Sequence, residues 1–229
     1  MIETELRHLA TDEKRIVLQR FFKTAPGQYG EGDRFLGVTV PLTRIVAKKH
    51  LAMPLNEIIE LLQSEWHEVR LCALLMMCKR FKKGDSDTRE AIFNYYIENT
   101  ERINNWDLVD LSAPTIVGGY LMDKPRDLLY RMAESELLWD NRIAIVATLA
   151  FIKHKDSDDT YRLALKMMNH KHDLMHKAIG WMLRESGKRD DDRRLFNFAD
   201  EYRKRMPRTM LRYAIEKFTD EERKYLLRK

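Results

Sequence analysis

A small residue recurs in this sequence at intervals of about 35 positions, each time within the start of an apolar helical stretch. Alanine occupies the position at Ala73, Ala144, Ala178 and Ala214, and Asp110 supplies the member between the first two. The successive spacings are 37, 34, 34 and 36 residues. A period near 35 with two helices per repeat is typical of an α-solenoid built from HEAT-like, or armadillo-like, repeats.

Helical periodicity extends over nearly the whole chain, and no segment alternates as a β-strand does. Apolar residues follow the i, i+3, i+4, i+7 pattern of a helix face from Val69 to Met77 and again from Ile143 to Phe151. Five register positions predict about five helix pairs behind an N-terminal helical segment. Because no linker-like stretch interrupts the repeats, we predict a single all-α domain over residues 1–229, with a concave face.

Composition and charge narrow the class of protein. The longest apolar runs are too short to span a bilayer, and the first residues lack the pattern of a secretion signal. Cys72 and Cys78 lie six residues apart on one predicted helix, too distant to bridge each other. We therefore expect a cytoplasmic protein with reduced cysteines. Separately, we expect a monomer. The net charge of +5 resides in residues 184–229, which indicates either an anionic partner or a solvated, Arg-rich last repeat.

Asp110 is the first candidate functional residue, because a carboxylate at a packed register position is costly unless it has a partner or a role. Trp106 precedes it by four residues, so both side chains lie on one helix face, one turn apart. Trp181 follows Ala178 by three residues, in a similar helical phase. The alternatives are ordinary ones: a core tryptophan and a buried aspartate that accepts hydrogen bonds.

Cationic side chains recur two positions before the register residue, at Arg142, His176 and Arg212. Equivalent positions on stacked repeats form a row, and a row of spaced cations suits the phosphates of a nucleic acid. Such a position points about 160° away from the register residue on an ideal helix. The sequence therefore leaves open whether Arg142 faces the same groove as Asp110. Further candidates for phosphate contacts are Lys177, Arg208 and Lys153.

Two other clusters favour structural roles. His170, His172 and His176 lie close together, but no HExxH motif or partnering cysteine accompanies them, so we predict no metal site. The glycine-rich stretch 24–33 follows no predicted strand and lacks dinucleotide-binding spacing. It is best explained as a flexible connection between helices.

Four segments resemble, in order, motifs of the AlkD-type DNA alkylation repair glycosylases. Residues 105–110 (NWDLVD), followed by Ala113-Pro114-Thr115, resemble the W-D-x-V-D…P-T segment of that family. Residues 139–145 (WDNRIAI) resemble its W-x-x-R-x-A-I segment, and residues 177–185 (KAIGWMLRE) its K-A-I-G-W-x-L-R-E segment. Phe35-Leu36-Gly37-Val38, ahead of Pro41, is similar to the family's N-terminal F-x-G-(V/I)…P entry. The likeness extends over nearly the whole chain.

The resemblance implies HEAT-like repeats whose concave face binds double-stranded DNA containing alkylated bases. Members excise cationic alkylated purines of the N3-methyladenine and N7-methylguanine types by hydrolysing the N-glycosidic bond, with neither metal nor cofactor. By motif position, Asp110 matches the catalytic aspartate and Arg142 the groove arginine, while Trp106 and Trp181 match the groove-lining tryptophans.

This activity is chemically consistent with the candidate residues. A purine alkylated on a ring nitrogen is already a good leaving group, and an ionised Asp110 would stabilise the positive charge that grows on the deoxyribose and orient the water. The chain departs from some members at Asn105, where they have a second aromatic residue, and near Phe21, where they have a tyrosine. The alternatives are a non-catalytic HEAT-repeat protein that binds damaged or branched DNA, and a protein-interaction scaffold.

Overall fold

The 35-residue period of the sequence corresponds to pairs of helices in the structure. The computed structural model describes residues 1–228, which form fifteen α-helices and no β-strand, with one isolated bridge between Arg34 and Trp66. The predicted all-α class is therefore confirmed. None of the helices in these residues is long and apolar enough to cross a membrane.

The helices of the first half are α1 (Ile2–Leu9), α2 (Asp12–Phe21), α3 (Val40–Lys49), α4 (Leu55–Glu60), α5 (His67–Lys83), α6 (Ser86–Glu98) and α7 (Trp106–Ala113). Those of the second half are α8 (Asp127–Met132), α9 (Leu138–Ala147), α10 (Leu149–Ile152), α11 (Asp158–Lys166), α12 (Asp173–Arg189), α13 (Asp192–Tyr202), α14 (Arg208–Ala214) and α15 (Asp220–Leu226). Short 3-10 turns cover Leu61–Gln63 and Thr100–Arg102, and a π-helical turn covers Pro114–Gly118.

Each register residue lies on the second helix of a pair. Helices α5, α7, α9, α12 and α14 carry the register, and they follow α4, α6, α8, α11 and α13 in turn. The expected five pairs are present, with α1 to α3 ahead of them. The four register alanines are buried, whereas Asp110 is partly exposed. The carboxylate thus occupies a register position without the full cost of desolvation.

The chain divides into two compact units, Met1–Ile116 and Val117–Lys229. In the first unit, α5 is the central helix, and it packs against α1, α3, α4, α6 and α7. Its ten residues from Val69 to Cys78 are all buried, as expected for a helix that is surrounded by others. In the second unit, α12 is central, and it packs against α9, α10, α11, α13 and α14. A single domain over residues 1–229 stays a prediction.

The contact between α12 and α14 depends on a glycine. A Cβ atom added at Gly180 would lie 2.5 Å from the carbonyl oxygen of Met210 and 2.6 Å from the Cβ atom of Tyr213. These distances are shorter than van der Waals contact, so only glycine allows the two helices to approach this closely. The glycine of the segment KAIGWMLRE therefore has a packing role.

We expect Gly180→Ala to destabilise the protein, although alanine is the better helix former by about 1 kcal/mol. Overpacking against α14 should outweigh that gain and lower the free energy of unfolding by about 1 to 3 kcal/mol in urea denaturation. Lys188→Ala, at an exposed position of the same helix, is the control and should change it by less than about 0.5 kcal/mol. A stabilised Gly180→Ala protein would contradict the close contact.

Candidate functional site

Asp110 and Trp106 line one open cleft of about 600 Å³ in the first unit. Asp107 of the same helix also lines it, so two carboxylates one turn apart contribute to its surface. Apolar residues of α2, the residue after it, and the start of α3 line one part of the cleft, and further leucines come from α5 and α7: Leu18, Phe21, Phe22, Val40, Leu71, Leu75 and Leu111. The cleft therefore combines an aromatic surface with a partly exposed carboxylate.

Trp106 belongs to an aromatic cluster that determines its orientation. Its ring stacks on Phe22 with centroids 5.3 Å apart, and Phe21 meets it edge-on at 5.8 Å. Phe22 in turn stacks on Phe35 at 5.1 Å. Phe21 is 58% exposed and carries no hydroxyl group, so it offers an aromatic face to a ligand and no proton donor. Such faces attract sugars, bases and cations.

Beneath this cluster, the buried His67 of α5 lies between two carboxylates. Its Nδ1 donates a hydrogen bond of 2.7 Å to Asp33, and its Nε2 donates one of 2.9 Å to Asp107. Burial alone would lower the pKa of His67, but the two carboxylates outweigh it and raise this pKa to about 9. The ring is therefore a cation at neutral pH, and it ties α7 to the connection between α2 and α3.

Asp33 also fixes the first turn of α7 by a second route. The side-chain oxygen of Asn105 caps the helix by accepting the N–H of Trp106 at 2.9 Å, and its amide donates to Asp33 at 3.4 Å. Arg70 donates to the other oxygen of Asp33 at 2.5 Å. Burial alone would raise the pKa of Asp33, but the effects of His67 and Arg70 are larger together. The pKa of Asp33 therefore lies below its ordinary value. Asn105 thus serves as a helix cap at the position where some relatives are expected to have an aromatic residue.

Another buried acid secures the same region. The Glu68 carboxylate accepts the backbone N–H groups of Leu36 and Gly37 at 2.8 Å and that of Val38 at 3.0 Å. Gly37 has a φ of 103°, and a Cβ atom there would lie 2.3 Å from the carbonyl oxygen of Thr11. The residues after the predicted glycine-rich connection are therefore held firmly against the start of α5.

The end of α7 changes its hydrogen-bond pattern next to Asp110. Pro114 has no N–H group, so it cannot donate to the carbonyl oxygen of Asp110 four residues earlier. The chain continues as the π-helical turn Pro114–Gly118. Single π-helical turns occur frequently at functional sites.

The other candidate groove residues, Arg142 and Trp181, lie in the second unit. Arg142 of α9 is only 5% exposed, and its Nη1 donates to the carbonyl oxygen of Leu174 at 2.8 Å. Trp181 of α12 is partly exposed. The guanidinium of Arg142 thus stabilises the start of α12.

The proposed row of cations is heterogeneous in the structure. Arg142 is buried, whereas Arg212 is exposed. His176 donates a hydrogen bond of 2.5 Å from its Nε2 to the carbonyl oxygen of His170. Lys177 pairs with Asp173 at 2.7 Å. Of the remaining candidates, Arg208 donates to a backbone carbonyl at 3.0 Å, and Lys153 is exposed. Phosphate contacts at these positions stay predictions.

The three histidines form a hydrogen-bond network at the start of α12. The Nδ1 of His172 accepts the N–H of Leu174 at 3.1 Å, and His170 donates from Nε2 to Asn141 at 3.0 Å. Burial is the main cause that lowers the pKa values of His170 and His172, which favours neutral rings. Residues 1–228 contain no group of three or more potential metal ligands placed to hold an ion.

Sequence reasoning missed the network around His67. Asp33 lies within the connection between α2 and α3. It is 34 residues from His67, and His67 is 40 residues from Asp107, so no local spacing connects the three residues. One signal was available: His67, Glu68 and Arg70 are polar residues at the start of a helix that is apolar throughout residues 71–78. Buried polar groups at such a place require partners from elsewhere in the chain.

Comparisons with known proteins identify relatives of this chain. The family model described as "DNA alkylation repair enzyme" matches residues 2–218. A solved structure, a predicted DNA alkylation repair enzyme from Enterococcus faecalis, aligns with a TM-score of 0.74 at 17% identity, covering 92% of this chain and 97% of that one. It shows a similar fold. No curated protein matches the sequence.

The His67 network predicts a pH dependence of stability. The pKa of His67 rises from 6.5 to about 9 on folding. Its contribution to the free energy of unfolding is therefore complete below pH 6.5 and is lost as the pH rises through 9. At about 1.4 kcal/mol per pKa unit, the loss is about 3 kcal/mol. Urea unfolding of the wild type between pH 6 and 10 measures it, with His67→Gln as the variant that lacks the titrating group. Parallel pH curves for the two proteins would contradict the buried imidazolium.

Proposed function

We propose that this chain, which belongs to the DNA alkylation repair enzyme family, is a DNA glycosylase that releases cationic alkylated purines from duplex DNA. The observation that supports this most is the placement of Asp110 beside Trp106 in a cleft with an aromatic lining. A carboxylate that only stabilised the fold would need no such opening.

The proposed reaction breaks the bond between C1′ of the deoxyribose and the purine nitrogen. Both electrons of the bond leave with the purine, which becomes neutral because the alkylated base was a cation. Positive charge then develops on the sugar, and the Asp110 carboxylate stabilises it electrostatically. A water molecule oriented by the same carboxylate adds to C1′ and releases one proton to the solvent. Neither a metal nor a cofactor is needed, because the leaving group is already activated.

The aromatic cluster has a separate role in this proposal. Trp106, supported from behind by Phe22, offers its ring to the deoxyribose, and Phe21 extends the apolar surface at the rim. From the second unit, Trp181 and Arg142 would contribute contacts to the DNA groove. The phosphate contacts proposed there are those of Lys177, Arg212, Arg208 and Lys153.

We further propose that the protein is a monomer in the cytoplasm. Its partner in this proposal is double-stranded DNA that contains alkylated bases. A protein that binds damaged or branched DNA without cleaving the glycosidic bond is the second candidate. The buried network that holds α7 favours catalysis, because electrostatic stabilisation of a transition state requires a carboxylate with a fixed position.

We expect Asp110→Asn to reduce the single-turnover release of 7-methylguanine and 3-methyladenine from methylated duplex DNA by about 100-fold or more. The isosteric amide keeps the shape of the side chain and removes its negative charge. Duplex binding should change little. Asp87→Asn, an exposed carboxylate on α6, is the matched control and should retain full activity.

The outcomes separate the candidate functions. Release by the wild type with severe loss in Asp110→Asn supports the glycosylase. Absence of release by the wild type, with duplex binding intact, would refute it and favour the protein that only binds.

A further inference from the structure

The cleft that contains Asp110 is also lined by three cationic side chains, Arg44 of α3 and Lys79 and Lys82 of α5. All three residues are exposed. Within residues 1–228, none of them has a carboxylate at ion-pair distance or a side-chain hydrogen bond. They are therefore cations without an ion pair, in the lining that also contains the candidate catalytic acid.

Several other cations of the same unit form ion pairs on the surface. Arg7 pairs with Glu3 at 2.7 Å, Arg15 with Asp12 at 3.0 Å, and Lys49 with Glu5 at 2.9 Å. Surface ion pairs of this kind are common, and each contributes little to stability. Of the cations in this unit that lack such a pair within residues 1–228, Arg44, Lys79 and Lys82 line one cleft, whereas others, such as Lys14, Lys23 and Lys48, do not.

The buried thiol of Cys78 shows that the three charges act on one place. Burial raises the pKa of this thiol to about 12, while Lys82, Arg44 and Lys79 all act in the opposite direction. Cys78 lies in the lining of the same cleft, and its Sγ contacts the carbonyl oxygen of Leu111, the residue after Asp110. The three cations therefore converge on the surface next to the acid.

A favourable interaction with the end of a helix explains the position of only one of the three cations. Lys82 lies in the last turn of α5, where a cation interacts favourably with the helix dipole. Lys79 lies outside that last turn, and Arg44 is in the middle of α3. The helix dipole has decayed at both of these positions. Their shared location in the cleft needs another explanation.

We propose that Arg44, Lys79 and Lys82 form a binding site for the phosphates that flank the nucleotide held in the Asp110 cleft. The cleft then matches a nucleotide in all its parts, since the aromatic surface receives the sugar and base and the cations receive the phosphates. The cations also offset the repulsion between the negative DNA backbone and Asp110. The assignment of DNA as the ligand rests on the proposed function.

The test is the salt dependence of binding to an unmodified DNA duplex, measured by fluorescence anisotropy between 50 and 300 mM KCl. Each phosphate contact contributes about 0.9 to the slope of log K against log salt concentration. The triple variant Arg44→Gln, Lys79→Gln, Lys82→Gln should lower the magnitude of that slope by about 2 to 3. The variant Arg44→Lys, Lys79→Arg, Lys82→Arg retains the charges and should retain the slope.

The control removes three exposed lysines that lie outside both the cleft and the cationic segment 184–229: Lys155, Lys166 and Lys171. Their change to glutamine alters the net charge equally, so any general effect of charge appears in both triple variants. A loss of slope confined to the cleft variant, at an unchanged melting temperature, supports the site. Equal slopes for the cleft and control variants would overturn it, as would an equal loss in the charge-retaining variant.

Failure of this proposal is distinguishable from failure of the proposed function, because the binding assay uses unmodified DNA and requires no excision. If the wild type releases no alkylated purine, a slope loss confined to the cleft variant still supports the phosphate site. If excision is observed and the cleft variant keeps the wild-type slope, the glycosylase stands and the phosphate site does not.

Discussion

The arrangement of the first unit depends on a buried imidazolium between two carboxylates. His67, Asp33 and Asp107 come from three separate parts of the chain, and each satisfies a charge that would be very unfavourable alone in a buried environment. Removing any one of the three leaves an uncompensated charge in the protein, which destabilises the native packing of this region. This requirement ties the α2–α3 connection, α5 and α7 into one structure.

These hydrogen bonds of His67 fix the position of the face of α7 that lines the cleft. Asp107 is engaged by His67 from within the protein, while Trp106 and Asp110 of the same helix contribute to the cleft. The aromatic cluster supports the indole from behind, so the same helix presents an oriented ring and a carboxylate. An acid at a register position that elsewhere holds buried alanine is thereby made available to a ligand.

Features that depend on spacing within one helix were predictable from the sequence. The period located five helix pairs, and the four-residue separation of Trp106 and Asp110 placed both on one face, as the cleft confirms. Features that depend on packing between repeats were not predictable. The partners of His67 are far apart in the chain, and Arg142 is buried where α9 meets the start of α12. The close approach of α12 and α14 at Gly180 was not predictable either, because it depends on where the neighbouring helix lies.

The central claim is that Asp110 stabilises positive charge on a deoxyribose in the cleft. The most direct measurement compares the affinity for a duplex containing a cationic pyrrolidine analogue of the abasic sugar with that for a duplex containing the neutral tetrahydrofuran analogue. An enzyme complementary to a cationic transition state binds the charged analogue more tightly. The wild type should show this preference, and Asp110→Asn should lose it while its affinity for the neutral analogue is unchanged. Equal affinities of the wild type for both duplexes, or the same preference in Asp110→Asn, would contradict the claim.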